Sequence, residues 1–125
     1  MPGIDKIAVV TIAVTTQDEA LRWFTEKLGF ETRADMSGPG LRWLTVTPTK
    51  QTEVEFLLAS WFPEHVGKNA TCVVETQDCR KTYEKLKGRG VKFKQIPEER
   101  SYGVEGVFQD LCGNSYALVE GKPMR

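Results

Sequence analysis

The chain has 125 residues, 40% of them hydrophobic, and its 17 basic residues cancel its 17 acidic ones. A single domain of this length buries about two-thirds of the surface its unfolded chain exposes, so a packed core forms without disulfides or a structural metal. Zero net charge leaves no sequence-wide field for nucleic acid or anionic membrane, and the apolar run from Ile7 to Val14 falls short of the roughly 20 residues of a membrane span.

Neither nucleic acid nor membrane is therefore an expected partner. Cys72, Cys79 and Cys112 form no CxxC pair and suit reduced thiols, and the first residues lack the pattern of a signal peptide, so a cytoplasmic location is expected.

Residues from about Lys6 to Val14 are rich in Val, Ile and Thr and read as a strand. Thr16 and Glu19 have the spacing of a capping box, and Ala20, Leu21, Phe24 and Leu28 recur on one helical face before Gly29 ends the segment. Strands are predicted near Glu31 to Asp35, Leu41 to Thr47 and Glu53 to Ala59, broken at Ser37-Gly38-Pro39-Gly40 and Pro48-Thr49-Lys50. A linker over about residues 60–68 contains Pro63 and Gly67. The order then repeats, with a strand near Asn69 to Val74, a helix through Tyr83 and Leu86, and strands near Val91 to Gln95, Gly103 to Gln109 and Ser115 to Glu120.

The two halves match in sequence as well. Thr16-Gln17-Asp18 recurs as Thr76-Gln77-Asp78 at an offset of 60, Leu28-Gly29-Phe30 matches Arg89-Gly90-Val91 at 61, and Thr45 to Pro48 matches Val107 to Asp110 at 62. The ordered drift points to duplication. It predicts an α+β fold of two tandem βαβββ modules, about residues 5–59 and 69–121, within one domain of 1–125.

Strand alternation separates two faces. One carries Val10, Ile12, Val14, Leu44, Val46, Val54, Phe56, Leu58, Cys72, Val74, Phe108, Tyr116 and Leu118 and should cover the helices. The other mixes small, polar and aromatic residues, among them Val9, Thr11, Trp43, Thr45, Glu55, Asn69, Thr71, Gln109 and Ala117. That mixture suits a ligand face, the alternative being a solvated sheet surface. Trp43 on it, with Trp61 and Tyr102 in loops, offers flat contact area to an aromatic ligand, although Trp61 and Phe62 could equally plug a dimer interface. Arg42, Lys92 and Lys94 could attract an acidic ligand or simply protect an edge.

Few residues offer catalytic chemistry. The single histidine, His65, lies in the linker; there is no zinc spacing, no GxSxG elbow and no phosphate-cradling loop. Cys79, at the start of the second helix, could have a thiol pKa lowered by the helix dipole, but a chain with one histidine is poorly supplied for a Cys–His nucleophilic pair. Glu55 could serve as a general base in a dry site.

The segments Val14 to Phe30, Val74 to Val91 and Phe108 to Glu120, in that order, resemble the vicinal oxygen chelate superfamily of glyoxalase I, the bleomycin and fosfomycin resistance proteins and the extradiol dioxygenases. The resemblance implies a U-shaped mixed sheet around a cleft, with helices outside, usually in a homodimer. It also implies a divalent metal at four strand positions, which fall here on Val9, Glu55, Asn69 and Ala117. Only Glu55 is a good ligand, so no metal or other cofactor is expected. The resulting expectation is a metal-free protein that binds a small molecule, possessing the chemistry to hold an antibiotic or another aromatic ligand. The alternative is a lyase, isomerase or dioxygenase of the same superfamily, metal-dependent or relying on Glu55.

Overall fold

The computed structural model describes residues 3–50 and 53–121. The chain divides into two units, one up to Glu64 and one from His65, at a boundary inside the expected linker. In the first unit, β1 (Val9–Ala13), α1 (Gln17–Leu28), β2 (Glu31–Gly38), β3 (Leu41–Thr47) and β4 (Glu55–Ala59) follow one another. They form a mixed sheet of order β1-β4-β3-β2, in which only β1 and β4 are parallel.

The start of α1 departs from expectation. Thr16 is its N-cap in extended backbone, yet its side chain makes no capping hydrogen bond, so the predicted capping box does not form. Asp18 and Glu19 in the first turn instead complement the positive end of the helix dipole. Gly29 ends the helix at φ +73°, a left-handed conformation that glycine adopts without a Cβ penalty, and the Phe30 N–H then donates to the Phe24 carbonyl at 3.1 Å. Phe24 is fully buried against Trp23, Phe30 and Phe56, with ring centroids 5.1, 5.6 and 6.2 Å away, and this cluster seats the helix on β4.

The second unit repeats the plan with β5 (Cys72–Glu75), α2 (Cys79–Gly88), β6 (Lys92–Arg100), β7 (Gly103–Gln109) and β8 (Ser115–Gly121), in sheet order β5-β8-β7-β6. Asp78 caps α2, its carboxylate accepting from the Lys81 N–H at 3.0 Å. The architecture is thus α+β, two βαβββ modules with a four-stranded mixed sheet each. β2 and β6 run past their predicted ends. A two-residue turn at Pro39-Gly40 lets Gly38 pair with Leu41, which draws Met36 and Ser37 into the ladder. β6 continues through Pro97, which has no N–H to give, because the register slips between Gln95 and Glu98. Gly103 opens β7 at φ +137°, where an added Cβ would run into the Glu120 carbonyl.

Pairing register corrects the repeat spacing. Val10 opposite Phe56 corresponds to Cys72 opposite Tyr116, and the strand-end bond Val14 N–H to Ala59 O (2.9 Å) corresponds to Thr76 N–H to Val119 O (3.0 Å). The helix caps Thr16 and Asp78 lie 62 apart as well, so the spacing is already 62 through the first strand and falls to 60 between β4 and β8. The match of Thr16-Gln17-Asp18 to Thr76-Gln77-Asp78 is therefore out of register by two. Counterparts of Val9 and Glu55 become Thr71 and Ser115, in place of Asn69 and Ala117. A shift of two preserves strand parity, so the division into faces is unaffected. Ile12, Val14, Leu44, Val46, Leu58, Phe108, Tyr116 and Leu118 are all buried on the helix side, as expected.

Candidate functional site

On the first sheet, the face away from α1 is built in rows. Val9 lies opposite Glu55; Thr11, Leu57, Thr45 and Ala34 form the next row across β1, β4, β3 and β2; Trp43 lies opposite Met36. Thr45, Thr47 and Leu57 are buried, Val9, Trp43 and Glu55 half-buried and Thr11 exposed, which is not the profile of a solvated surface. The Thr47 hydroxyl donates to the Pro48 carbonyl at 3.0 Å. The Thr45 hydroxyl, equally inaccessible, has no hydrogen-bond partner. Among the described residues the Glu55 carboxylate has none either, while its N–H donates to the Ala8 carbonyl at 3.2 Å.

Gln17, to which the sequence assigned no role, and Arg42 fix the Trp43 end of this face. The Gln17 amide, in the first turn of α1, donates to the carbonyls of Arg42 (2.9 Å) and Leu58 (2.8 Å), bridging β3 and β4. Arg42 holds Asp35 through two hydrogen bonds (2.8 and 2.9 Å) and Asp18 through a third (2.6 Å). Those carboxylates raise the guanidinium pKa further, Arg42 lowers that of Asp35, and the charge offered above to an acidic ligand is already paired. A polar residue opening the helix and a carboxylate seven residues before Arg42 are signals the sequence held, but only tertiary contact gives them meaning.

The second sheet uses its candidates differently. Asn69 docks on β8: its amide donates to the Ser115 carbonyl at 3.1 Å and accepts from the Ser115 N–H at 2.8 Å, which leaves it poorly placed to serve a ligand. Thr71 is exposed; Gln109, paired with Ser115, donates to the Gly113 carbonyl at 3.3 Å; Ala117 is buried between Val73 and Val107. Tyr102 stands in a turn and donates to Glu105 at 2.7 Å, which raises its pKa, and Trp61 is 38% exposed beside Phe62. Lys92 sits on the outer strand opposite Gln109, and the Lys94 ammonium donates to the Ser115 hydroxyl at 3.3 Å.

The structure does not favour a lowered thiol pKa at Cys79. Its buried Sγ donates to the Leu118 carbonyl at 3.4 Å, and desolvation raises the thiol pKa against any pull of the helix dipole. Asp110 is the polar centre of the second unit: one carboxylate oxygen accepts from the N–H groups of Cys112 (2.8 Å) and Asn114 (3.0 Å), the other from the Asn114 amide (3.0 Å) and the Tyr116 hydroxyl (2.6 Å). Burial and the Asp110 charge push the Tyr116 pKa far up. A phenol kept neutral in the folded state but free to ionise near pH 10 when unfolded contributes stability that is complete below that pH and is lost above it. Denaturant midpoints measured from pH 8 to 11 should fall at the alkaline end, with a smaller fall in Tyr116→Phe; equal slopes would contradict the assignment.

The donors at the positions implied for a metal are poor ones. Val9 and Ala117 offer no lone pair, Asn69 is engaged, and the register counterparts Thr71 and Ser115 supply only neutral hydroxyls. Among the described residues, no group of three or more His, Cys, Asp and Glu could hold a metal. These residues do not fit the superfamily's divalent ion.

The comparisons with known proteins agree with the paired modules. The Glyoxalase/Bleomycin resistance protein/Dioxygenase superfamily model matches residues 6–118. The chain belongs to this superfamily. Within it, the chain is 35% identical to the uncharacterized protein YetH of Bacillus subtilis (strain 168) over 94% of its length and 99% of the relative's. It is similar to the crystal structure of UcmS2, at 38% identity and TM-score 0.86, covering 95% of this chain and 100% of that one. It is also similar to TnmS3, an antibiotic binding protein from Streptomyces sp. CB03234, at 27% identity and TM-score 0.87, covering 98% and 100%. No described helix is long and apolar enough to cross a membrane.

Proposed function

We propose that this superfamily member binds a small, flat, largely apolar molecule on the first-sheet face of Trp43, Thr45, Leu57 and Glu55, without a metal. The observation that carries the reading is the accessible part of that face: a half-buried indole at Trp43 supplies contact area, and the half-buried Glu55 carboxylate is unengaged among the described residues. The likeness to TnmS3, described as an antibiotic binding protein, makes an antibiotic a reasonable ligand class. A homodimer and a cytoplasmic location, which the resemblance and the sequence imply, belong to this proposal. The test is a thermal-shift screen of bleomycin and planar aromatic antibiotics, followed by titration of each hit against Trp43→Ala.

A second reading has a specific observation in its favour, the Glu55 carboxylate, which has no partner among the described residues. Such a group could take a proton next to a carbonyl, as in a lyase or isomerase. Glu55→Gln keeps the size of the side chain and removes the base, so turnover of any substrate found should drop by about 100-fold or more. Retained turnover would remove Glu55 from that role.

A further inference from the structure

We propose that the face of the second sheet away from α2 holds an organic anion, its carboxylate or phosphate on Lys92, Lys94 and Ser115 and its apolar body over Val73, Val107 and Ala117. The site lies wholly within the second unit and does not rest on the first-sheet reading above. Lys92, Gln109 and Ser115 stand side by side across β6, β7 and β8. The Lys94 ammonium, on an exposed residue, turns back to donate to the Ser115 hydroxyl at 3.3 Å, and that hydroxyl keeps its own proton to give. Neither ammonium has a carboxylate partner among the described residues. The acids of this face, Glu75 and Glu105, both lie opposite Val119, four residues along β8 from Ser115 and so roughly 13 Å away. At that separation salt screens exposed charges from one another. Glu105 is also engaged by Tyr102 at 2.7 Å, and Asp110, next to Gln109, already accepts from four donors on the Tyr116 side of the sheet.

The first module places acids where the second places these donors. Lys92 opposite Gln109 corresponds in register to Glu31 opposite Thr47, and Lys94, in the slip between Phe93 and Gln95, corresponds to Arg33, in the slip between Thr32 and Ala34. Ser115 corresponds to Glu55. In the first module the bulge cation has a counter-ion on its own strand, Arg33 pairing with Glu31 at 2.9 Å. In the second both carboxylates are gone, so the bulge keeps its cation, loses the counter-ion and gains a second ammonium on the same strand. Two like charges drawn to one row repel, and an anion between them reverses the sign of the interaction. The next row, Val107 opposite Ala117 opposite Val73, is apolar, and Val73 is 68% exposed. A bare inorganic ion would leave that valine uncovered, whereas the body of an organic acid covers it.

The probes are benzoate, phenyl phosphate and benzyl alcohol, which share a ring and differ in the group it carries. Each is titrated at constant ionic strength with backbone amide chemical shifts as the readout. The Ser115 and Val73 amide signals should move saturably with benzoate or phenyl phosphate, the tighter of the two identifying the head group, and that anion should bind about tenfold or more tightly than benzyl alcohol. Lys94→Gln keeps a donor and removes the charge, so it should weaken the tighter anion about tenfold and leave benzyl alcohol within twofold. Lys81→Gln, at an exposed cation on α2, should leave both within twofold. Shifts that never saturate, equal affinity for the anions and benzyl alcohol, or the same loss in Lys81→Gln as in Lys94→Gln would overturn the site.

Discussion

Substituting Asp110 by alanine is expected to lower the unfolding free energy by about 3–5 kcal/mol, one of the largest effects a single replacement has in a domain of this size. Four donors converge on the Asp110 carboxylate, and the residue itself is only 6% exposed. Removing it takes this acceptor from two backbone N–H groups, an amide and a phenol in a region where Asn114 and Tyr116 are fully buried. The effect reaches the start of the unit, because Asn114 Oδ1 also accepts from the Gly67 N–H at 3.1 Å and the next residue, Ser115, carries Asn69. Urea unfolding measures it. Tyr116→Phe, which deletes one of the four bonds, should cost about 1–2 kcal/mol, and a loss below 1 kcal/mol in Asp110→Ala would mean that the network does not hold the β7–β8 turn.

Trp43→Ala is expected to weaken binding of a validated ligand by about 30-fold, or roughly 2 kcal/mol, with little change in fold stability. Trp43 is only partly buried, and its strand is anchored by side chains other than the indole: Arg42 clamps Asp35 and Asp18, and Gln17 ties the Arg42 carbonyl to that of Leu58. An indole presented by such a rigid strand gives contact area at little entropic cost. The comparison of titration with thermal unfolding separates the two roles. Unchanged affinity would move the ligand off this face, and a collapse in Tm without a change in affinity would make Trp43 a core residue.

Much of the fold was legible because alternation and turn chemistry are local. The strands Leu41–Thr47 and Gly103–Gln109 were readable at their bounds, set off by the Gly38-Pro39-Gly40 turn and by Asp110. β2 and β6 extend farther because pairing with β3 and β7 recruits Met36, Ser37 and Glu98 to Arg100, residues that have no strand pattern of their own. The repeat was legible as an order of elements but not as a register. Identical triplets at Thr16 and Thr76 mark an offset of 60, whereas the fold superposes the helix caps Thr16 and Asp78, 62 apart.

The candidate face divides along the same line. Parity placed Trp43, Thr45 and Glu55 together, and the pairing agrees. What each polar group does depends on partners distant in sequence: Asn69 finds Ser115, Gln17 finds Leu58, Cys79 has its thiol pKa raised by burial, and Thr45 finds nothing. A single sequence carries no local signal for a hydroxyl left without a partner.

The most direct test of a metal-free binding face is ligand titration before and after exhaustive chelation, with metal content read by elemental mass spectrometry. The account predicts a dissociation constant unchanged within twofold and less than about 0.1 equivalent of divalent metal, as expected of a donor set that does not suit transition metals. Binding that disappears on chelation and returns with one equivalent of nickel, zinc, manganese or iron(II) would contradict it.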